Sequence, residues 1–338
     1  ILFCLHMLTS CYIGTDMEEC TYNVHLNYRY FYEMSSSTNV VDQYVESVTE
    51  YIFDDNNVLY MINTLPGSSC GGPYVTELEL PPGRYSVVSW ANVKQISRVS
   101  DAQVGITEKQ DMGLYPDDKA TRLAGDEPGG VSSEQGHVDS ERLYYGYRTL
   151  SVYESGVTRV PVDMFHAHFR LTMTIRWKSD PPPNTRDFYV LFRHRPVRYS
   201  FMPEYTLDDD LWMVYDATTD DYPQKDSRRI FHSPERIMEP DLITRRKDVY
   251  MNVDKKIEAE FVTYRHGSDS QLLISLYAGN TQIMKEIDLQ HFFTQSGIDL
   301  TLNYRQEFHL QLEIDGDKVA VGFVSVGDWE EGGAIGTG

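Results

Sequence analysis

The chain has 338 residues, of which 41% are apolar and 12% are aromatic, and its formal net charge at pH 7 is −21. This length and composition are typical of two ordinary domains with packed cores. So strong a negative charge repels phosphate backbones, so nucleic acid is excluded as an expected partner. The 24 tyrosines favour β-strands and polar aromatic surfaces.

A short apolar segment, residues 1–7, precedes Leu8-Thr9-Ser10-Cys11. It is shorter than the roughly 20 residues that a membrane-spanning helix needs. Leucine, two small polar residues and a cysteine at this place resemble the lipobox of bacterial lipoproteins, which implies cleavage before Cys11 and a lipid such as palmitate on that residue. Residues 1–10 would then be a signal-peptide remnant and 11–20 a lipidated tether. The alternative is a buried strand with a chance cysteine.

Two other cysteines, Cys20 and Cys70, remain once Cys4 leaves with the signal peptide and Cys11 carries the lipid. An exported compartment permits them to form a disulfide bond. Whether their side chains meet is a matter of geometry that the sequence leaves open. No C-x-x-C pair occurs, which disfavours a structural zinc site.

Alternating apolar and polar residues predict a first strand over residues 22–30. A hairpin is predicted from the strands 48–54 and 58–62, joined by a turn at Asp55-Asn56-Asn57. Residues 85–90 form the next strand, with Val87 and Val88 on opposite faces.

Residues 100–140 are rich in Gly, Asp, Ser and Glu and lack periodicity, which predicts a long exposed insertion. The longest strand signal of the chain follows, from Val160 to Trp177. Its alternation predicts that Phe165 faces the core, whereas His166 and His168 face solvent.

The segment Pro181-Pro182-Pro183 cannot donate to a β-ladder and predicts a domain boundary. A helix is predicted over Asp288 to Gln295, with Asp288 as its N-cap, and Asp315-Gly316 predicts a hairpin turn. Many short strands and few helices predict an all-β chain of β-sandwich domains. The later strands are predicted at 188–192, 249–253, 257–264, 271–277, 308–314 and 318–326.

No nucleophile elbow, phosphate-binding loop, dinucleotide fingerprint or zinc-protease motif occurs, so the sequence predicts no enzyme and no cofactor. His166 and His168 are the sharpest metal candidates because alternate strand residues share a face, but two ligands do not make a site, and no metal is predicted. The run Asp208-Asp209-Asp210 lacks EF-hand spacing and is interpreted as an acidic loop. Arg193-His194-Arg195 is interpreted as a solvated strand or a structural ion pair.

Taken together, several segments resemble the FimB-type minor fimbrial anchor subunits of Bacteroidota, lipoproteins related to the fimbrillins of type V pili. The segment TDMEEC and residues 200–240 depart from the sequence pattern of that family. The segments that carry the resemblance are the lipobox, Val45 and Val48 ahead of Phe53-Asp54, the strand Leu80 to Trp90 with Gly83 and Tyr85, LYYG at 143–146, the long strand to Trp177, and Val326-Gly327-Asp328-Trp329.

The resemblance implies two tandem transthyretin-like (Greek-key) β-sandwich domains, at 21–178 and 188–338, joined by a linker at 179–187. It also implies a surface-exposed lipoprotein of the outer membrane that anchors a fimbria, with the fimbrial shaft subunits as partners through strand exchange. The alternative is a surface adhesin that binds a glycan or a host protein through tyrosine-rich loops.

In related shaft subunits, proteolysis removes a lipid-bearing N-terminal segment and opens a groove for a donor strand. An anchor cut in this way would lose its lipid, so the resemblance implies that the strand at 22–30 stays paired and uncut. Val319 to Val326 is then the candidate connection to the shaft. The alternative is that this strand closes the second sandwich.

Overall fold

A computed structural model describes residues 22–33, 36–66, 74–117, 136–137, 140–181, 188–194, 196–206, 232–238, 243–249, 251, 254–269, 271–278 and 281–324. The predicted lipidation site Cys11 and the possible disulfide partners Cys20 and Cys70 lie outside these ranges. So do the acidic run 208–210 and most of the proline linker.

The described chain is nearly all β, which confirms the predicted fold class; the transthyretin-like Greek-key arrangement stays a prediction. The helical elements are α1 (Val41–Tyr44), a 3₁₀ turn (Lys109–Asp111) and α2 (Leu289–Gln295). The strands are β1 (Val24–Arg29), β2 (Val48–Phe53), β3 (Leu59–Leu65), β4 (Val75–Leu78), β5 (Gly83–Ala91), β6 (Ser97–Val99), β7 (Gly113–Pro116), β8 (Gly136–His137), β9 (Tyr144–Val152), β10 (Thr158–His166), β11 (His168–Trp177), β12 (Phe188–Arg193), β13 (Pro196–Thr206), β14 (His232–Met238), β15 (Ile243–Val249), β16 (Lys256–Tyr264), β17 (Leu273–Ala278), β18 (Thr281–Asp288), β19 (Gln306–Asp315) and β20 (Lys318–Phe323).

These strands form a seven-stranded sheet in the order β3-β2-β5-β9-β10-β1-β4 and three smaller sheets. The smaller sheets have the orders β16-β11-β19-β20, β18-β17-β12-β15-β8 and β14-β13-β7-β6. Most neighbours are antiparallel, but β1 pairs with β10 in parallel and β11 pairs with β19 in parallel.

Strand β5 shows why the large sheet is buried on both faces. Its residues alternate between two apolar clusters, with Tyr85 and Val87 in one and Val88 and Trp90 in the other. This two-sided alternation matches the prediction for residues 85–90. A third cluster lies between the sheet of β11 and the sheet of β12, where Phe169, Phe192 and their neighbours pack under α2.

The predicted long strand from Val160 to Trp177 is wrong in one respect, because the chain changes sheet at Ala167. β10 lies in the seven-stranded sheet, whereas β11 lies between β16 and β19. The prediction that His166 and His168 face solvent is also wrong, since they are 2% and 0% exposed. Alternation assigns faces only along one continuous pleat, and here the pleat is interrupted between the two histidines.

Strand pairing does not follow the predicted division of the chain at residues 179–187. β11, which precedes the prolines, pairs with β16 and β19, which follow them. β13, which also follows the prolines, pairs with β7 and places Tyr199 and Phe201 in one cluster with Trp90. That each half folds independently stays a prediction.

The predicted exposed insertion at 100–140 is wrong for its first part. The 3₁₀ turn and β7 bring Met112 and Leu114 into the core, both fully buried. Apolar periodicity is too short here to be visible, and burial comes from pairing with β13.

The predicted helix near residue 290 is confirmed as α2, capped by Asp288, whose carboxylate accepts a hydrogen bond from the Gln290 N–H. In the part of the chain that the structure describes, no helix is both long and apolar enough to cross a membrane.

Candidate functional site

The first strand is held on both sides. β1 pairs with β10 in parallel and with β4 in antiparallel orientation. Val24, Leu26 and Tyr28 are fully buried. β1 is therefore paired in the sheet of the uncut chain, as predicted; that it stays paired and uncut in an anchored fimbria stays a prediction.

Polar contacts fix the end of β1. The Arg29 guanidinium donates to both carboxylate oxygens of Asp163, its register partner on β10, at 2.8 and 3.2 Å. Beyond the strand, the Tyr304 hydroxyl donates to the Phe31 carbonyl at 2.6 Å. Displacing β1 would therefore break a mostly buried ion pair as well as the ladder and the apolar packing.

The last described strand is held on one side only. β20 pairs with β19 and ends its sheet, without a further neighbour among the described residues. The hairpin turn lies at Gly316-Asp317, one residue later than predicted, and Gly316 supplies the left-handed backbone at φ 64°. In this conformation β20 closes the sheet, as one of the two alternatives for this strand requires.

Burial of β20 is shallow compared with that of β1. Val319 and Val321 are half-buried, whereas Lys318, Ala320 and Phe323 are exposed. The Phe323 ring lies against Phe292, with centroids 5.0 Å apart. Little apolar surface holds the strand in place, so its separation from β19 would cost far less than removal of β1.

The outer edge of β20 lacks the features that protect sheet edges. Natural edge strands are usually guarded by charges, proline or bulges. β20 has Lys318 as its single charge, no proline, and an uninterrupted register with β19. By contrast, β18 carries charges and an irregular register, β14 carries charges and a proline, and the pairing of β3 with β2 contains an irregularity.

A second cluster lies where the chain passes from β10 to β11. The rings of His166 and His168 stack with centroids 4.4 Å apart. Glu307 of β19 places a carboxylate oxygen 3.8 Å from His168 Nε2, and the Tyr30 hydroxyl lies 2.6 Å from His166 Nε2. Burial lowers the pKa of His166 well below its usual value. The sequence singled out the two histidines but had no signal for Glu307, which reaches them only through the parallel β11–β19 pairing.

The basic run at 193–195 is described in part. Arg193 Nε lies 3.4 Å from a carboxylate oxygen of Glu286, which supports the structural ion-pair alternative. Arg195 lies outside the described residues.

An open groove of about 920 Å³ lies on the seven-stranded sheet and its connecting loops. Tyr147 and the 69% exposed Tyr153 contribute aromatic surface, Arg84 and Arg159 contribute positive charge, and Asp54 and Asp55 contribute negative charge. Aromatic faces beside charged hydrogen-bonding groups suit a sugar ring.

The floor of this groove contains a buried cation. Lys109 is 3% exposed, its ammonium donates to the Ser86 hydroxyl at 3.1 Å, and it lies over the Tyr147 ring. Burial lowers the pKa of Lys109. Local sequence patterns do not predict the position of this residue, because it falls in the predicted insertion.

Many solved structures share this fold, among them the following three. A candidate polysaccharide-binding protein of Bacteroides thetaiotaomicron matches with TM-score 0.62 and 14% identity over 89% of this chain and 98% of that one. A candidate adhesin of Bacteroides ovatus matches with TM-score 0.61 and 16% identity, over 90% and 93%. The fimbrial anchor protein Mfa2 from Porphyromonas gingivalis matches with TM-score 0.55 and 16% identity, over 88% and 94%.

A comparison with curated protein sequences gives no match. Residues 17–332 match the sequence profile of a family described as fimbrillin-A associated anchor proteins Mfa1 and Mfa2. The match covers nearly the whole chain and confirms the resemblance to fimbrial anchor subunits. The chain belongs to this family of fimbrillin-A associated anchor proteins.

Proposed function

We propose that this protein is a lipoprotein of the outer membrane that anchors a fimbria to the cell surface, held by a lipid on Cys11 and joined to a shaft subunit by strand pairing at β20. The observation that carries the proposal is the contrast between its two terminal strands. β1 is buried and paired on both sides, whereas β20 is shallow and open on one side.

The contrast suits an anchor because the two ends of the chain have different tasks. A lipid near residue 11 retains the protein only if the chain between the lipid and the fold stays intact. Because β1 is paired on both sides, we expect the N-terminal segment to stay in place. No empty groove then opens in the sheet for a donor strand. The connection to the shaft must then form elsewhere.

The open edge of β20 supplies such a place. An incoming strand gains main-chain hydrogen bonds from the unpaired donors and acceptors of an edge strand. Val319 and Val321 give β20 the apolar character of a strand that pairs with a neighbour. Family membership supports a fimbrial subunit as that neighbour.

The lipid anchor is tested by replacing Cys11 with alanine in the expressing cell. The variant is expected in the soluble fraction or as uncleaved precursor, while Cys70→Ala stays with the membrane as the matched control. A mature Cys11→Ala protein that still sediments with membranes after a salt wash would show that the lipid is not the anchor.

Strand pairing is tested by deleting residues from Val319 onward, with circular dichroism and thermal melting as fold checks. A folded, membrane-bound deletion variant that releases fimbriae into the medium is the expected result. A shorter deletion from 330 onward serves as the control. A folded variant without β20 that still holds fimbriae on the cell would rule out this strand.

A single substitution can instead place a charge on the open edge of β20. Ala320 is exposed, so Ala320→Lys should leave the core intact while discouraging pairing at β20. Fimbriae are expected to detach from the Ala320→Lys cell but not from a Glu154→Lys cell, whose new lysine lies on an exposed loop away from β20.

A second candidate function is adhesion to a glycan, favoured by the groove beside Tyr153 and Arg84. The fold likeness to a candidate polysaccharide-binding protein agrees with it but shows the fold alone. A glycan array probed with wild type, Tyr153→Ala and the control Ile106→Ala tests this. Signals that Tyr153→Ala abolishes and Ile106→Ala retains would support it; equal signals would reject the groove as the site.

A further inference from the structure

Two buried nitrogen atoms at the β10–β11 junction have no hydrogen-bond partner within the described residues. They are Nδ1 of His166 and Nε2 of His168. Both side chains are more than nine-tenths buried. Because an unsatisfied polar atom in a protein interior is costly, such a pair calls for a ligand.

A carboxylate completes the group. One ligand atom from each of His166, His168 and Glu307 lies within 4.8 Å of the other two. The 3.8 Å between Glu307 Oε1 and His168 Nε2 is too long for a hydrogen bond. Ligand atoms about 2.0–2.2 Å from a tetrahedral zinc ion are about 3.4 Å apart, so binding requires the three ligand atoms to approach one another by up to about 1.4 Å.

The two rings stack with their planes 25° apart, so one ring must turn before both lone pairs can point at one ion. The hydrogen bonds around the histidines leave one nitrogen of each ring open to that ion. His168 Nδ1 lies 2.8 Å from the Leu143 carbonyl. A carbonyl only accepts, so Nδ1 carries the proton and Nε2 presents its lone pair. His166 Nε2 faces the Tyr30 hydroxyl at 2.6 Å, which leaves Nδ1 for a ligand. Metal-binding histidines are commonly held in this manner by their second nitrogen.

Glu307 is oriented by its other oxygen. Arg305 Nε lies 3.8 Å from Oε2, while Oε1 faces His168. The Arg305 guanidinium is itself placed over the Tyr32 ring, 3.9 Å from its centroid. The Glu307 side chain is 15% exposed, whereas the two histidines are buried.

We propose that His166, His168 and Glu307 bind one divalent transition-metal ion of the zinc class. Two imidazoles and a carboxylate suit zinc and its neighbours, with water as the fourth ligand. His166 ends β10 of the seven-stranded sheet, whereas His168 and Glu307 belong to β11 and β19 of another. The bound ion therefore ties two sheets together at the residue where the chain crosses between them.

The test uses the full chain in detergent after treatment with EDTA. Cobalt(II) is added and its visible absorption recorded, and zinc affinity is measured by calorimetry. Wild type is expected to bind one ion and to melt at a higher temperature with zinc present. Glu307→Gln should weaken binding at least tenfold and lose the shift in melting temperature. His168→Asn, whose amide nitrogen lies where Nδ1 does and can still donate to the Leu143 carbonyl, should do the same.

Tyr30→Phe separates a positioning role from a ligand role. It keeps the ring but removes the partner of His166, so zinc affinity should fall by about 10–100-fold with the cobalt spectrum retained. His291→Gln is the control, because His291 lies exposed on α2 and bonds Gln295. Folded wild type that binds no metal, or Glu307→Gln that binds it as tightly as wild type, would overturn the proposal.

Discussion

The Tyr199 hydroxyl donates a hydrogen bond to the Ala167 carbonyl, 2.6 Å away. Ala167 is the residue at which the chain leaves one sheet for another, and Tyr199 lies on β13, far along the sequence. The same hydroxyl accepts the Arg265 N–H at 2.6 Å. Burial raises the pKa of Tyr199, so the hydroxyl stays protonated and able to donate.

Tyr199→Phe is therefore expected to leave a buried carbonyl and a buried N–H without this partner. The free energy of unfolding should fall by about 1–3 kcal/mol, measured by urea denaturation. Tyr153→Phe, at an exposed position, should change it by less than about 0.5 kcal/mol. Equal effects of the two substitutions would mean that the hydrogen bonds of Tyr199 do not stabilise the passage of the chain between the two sheets at Ala167.

The Arg29–Asp163 pair gives a second prediction. Their side chains are 14% and 7% exposed, so Asp163→Asn leaves a mostly buried guanidinium without its counter-charge. Unfolding free energy should fall by about 3 kcal/mol. The exposed Lys94–Glu46 pair is the control, and Glu46→Gln should cost less than about 1 kcal/mol. A small effect of Asp163→Asn would show that packing alone holds β1.

Two strand glycines differ in the space around them. A Cβ on Gly146, the last residue of LYYG, would lie 2.7 Å from the Met164 sulfur and 3.0 Å from a Val162 methyl. Gly146→Ala should destabilise the fold by about 1–3 kcal/mol through overpacking. A Cβ on Gly322 meets no atom within 4 Å, so Gly322→Ala should be neutral or slightly stabilising. Thermal melts of both variants check the contrast.

Glu50 is expected to make the stability of the protein depend on pH. It is fully buried on β2, where Thr76 and the Asn63 amide donate to its two oxygens. Burial raises the pKa of Glu50, and the hydrogen bonds offset only part of the rise. The folded protein thus holds the proton to higher pH than the unfolded chain does, so stability falls as pH rises from the unfolded pKa through the folded pKa.

Glu50→Gln should remove this loss of stability at higher pH, because the glutamine side chain keeps a hydrogen-bond acceptor and stays neutral. Wild type and Glu50→Gln should be closest in stability below about pH 4, under the unfolded pKa of a glutamate. As pH rises above that value, the free energy of unfolding of the variant should increase relative to that of wild type. Urea denaturation at several pH values measures this difference. A difference between the two proteins that does not change with pH would contradict the raised pKa.

Local patterns in the chain predict the all-β class, the first strand, the two faces of β5, the capped helix near residue 290 and the family. Each of these depends on neighbours in the chain. A period of two places Val87 and Val88 on opposite faces whatever lies beyond them, and Asp288 caps α2 through an N–H two residues away.

The identity of the distant strands that meet depends on the three-dimensional fold. The crossing at Ala167, the pairing of β13 with β7 and the approach of Glu307 to the histidines all depend on contacts between residues far apart in sequence. An alternating pattern shows that a strand has two faces but does not show what covers either of them. His166 and His168 were therefore predicted at the surface and lie in the interior, because two sheets close over the residue between them.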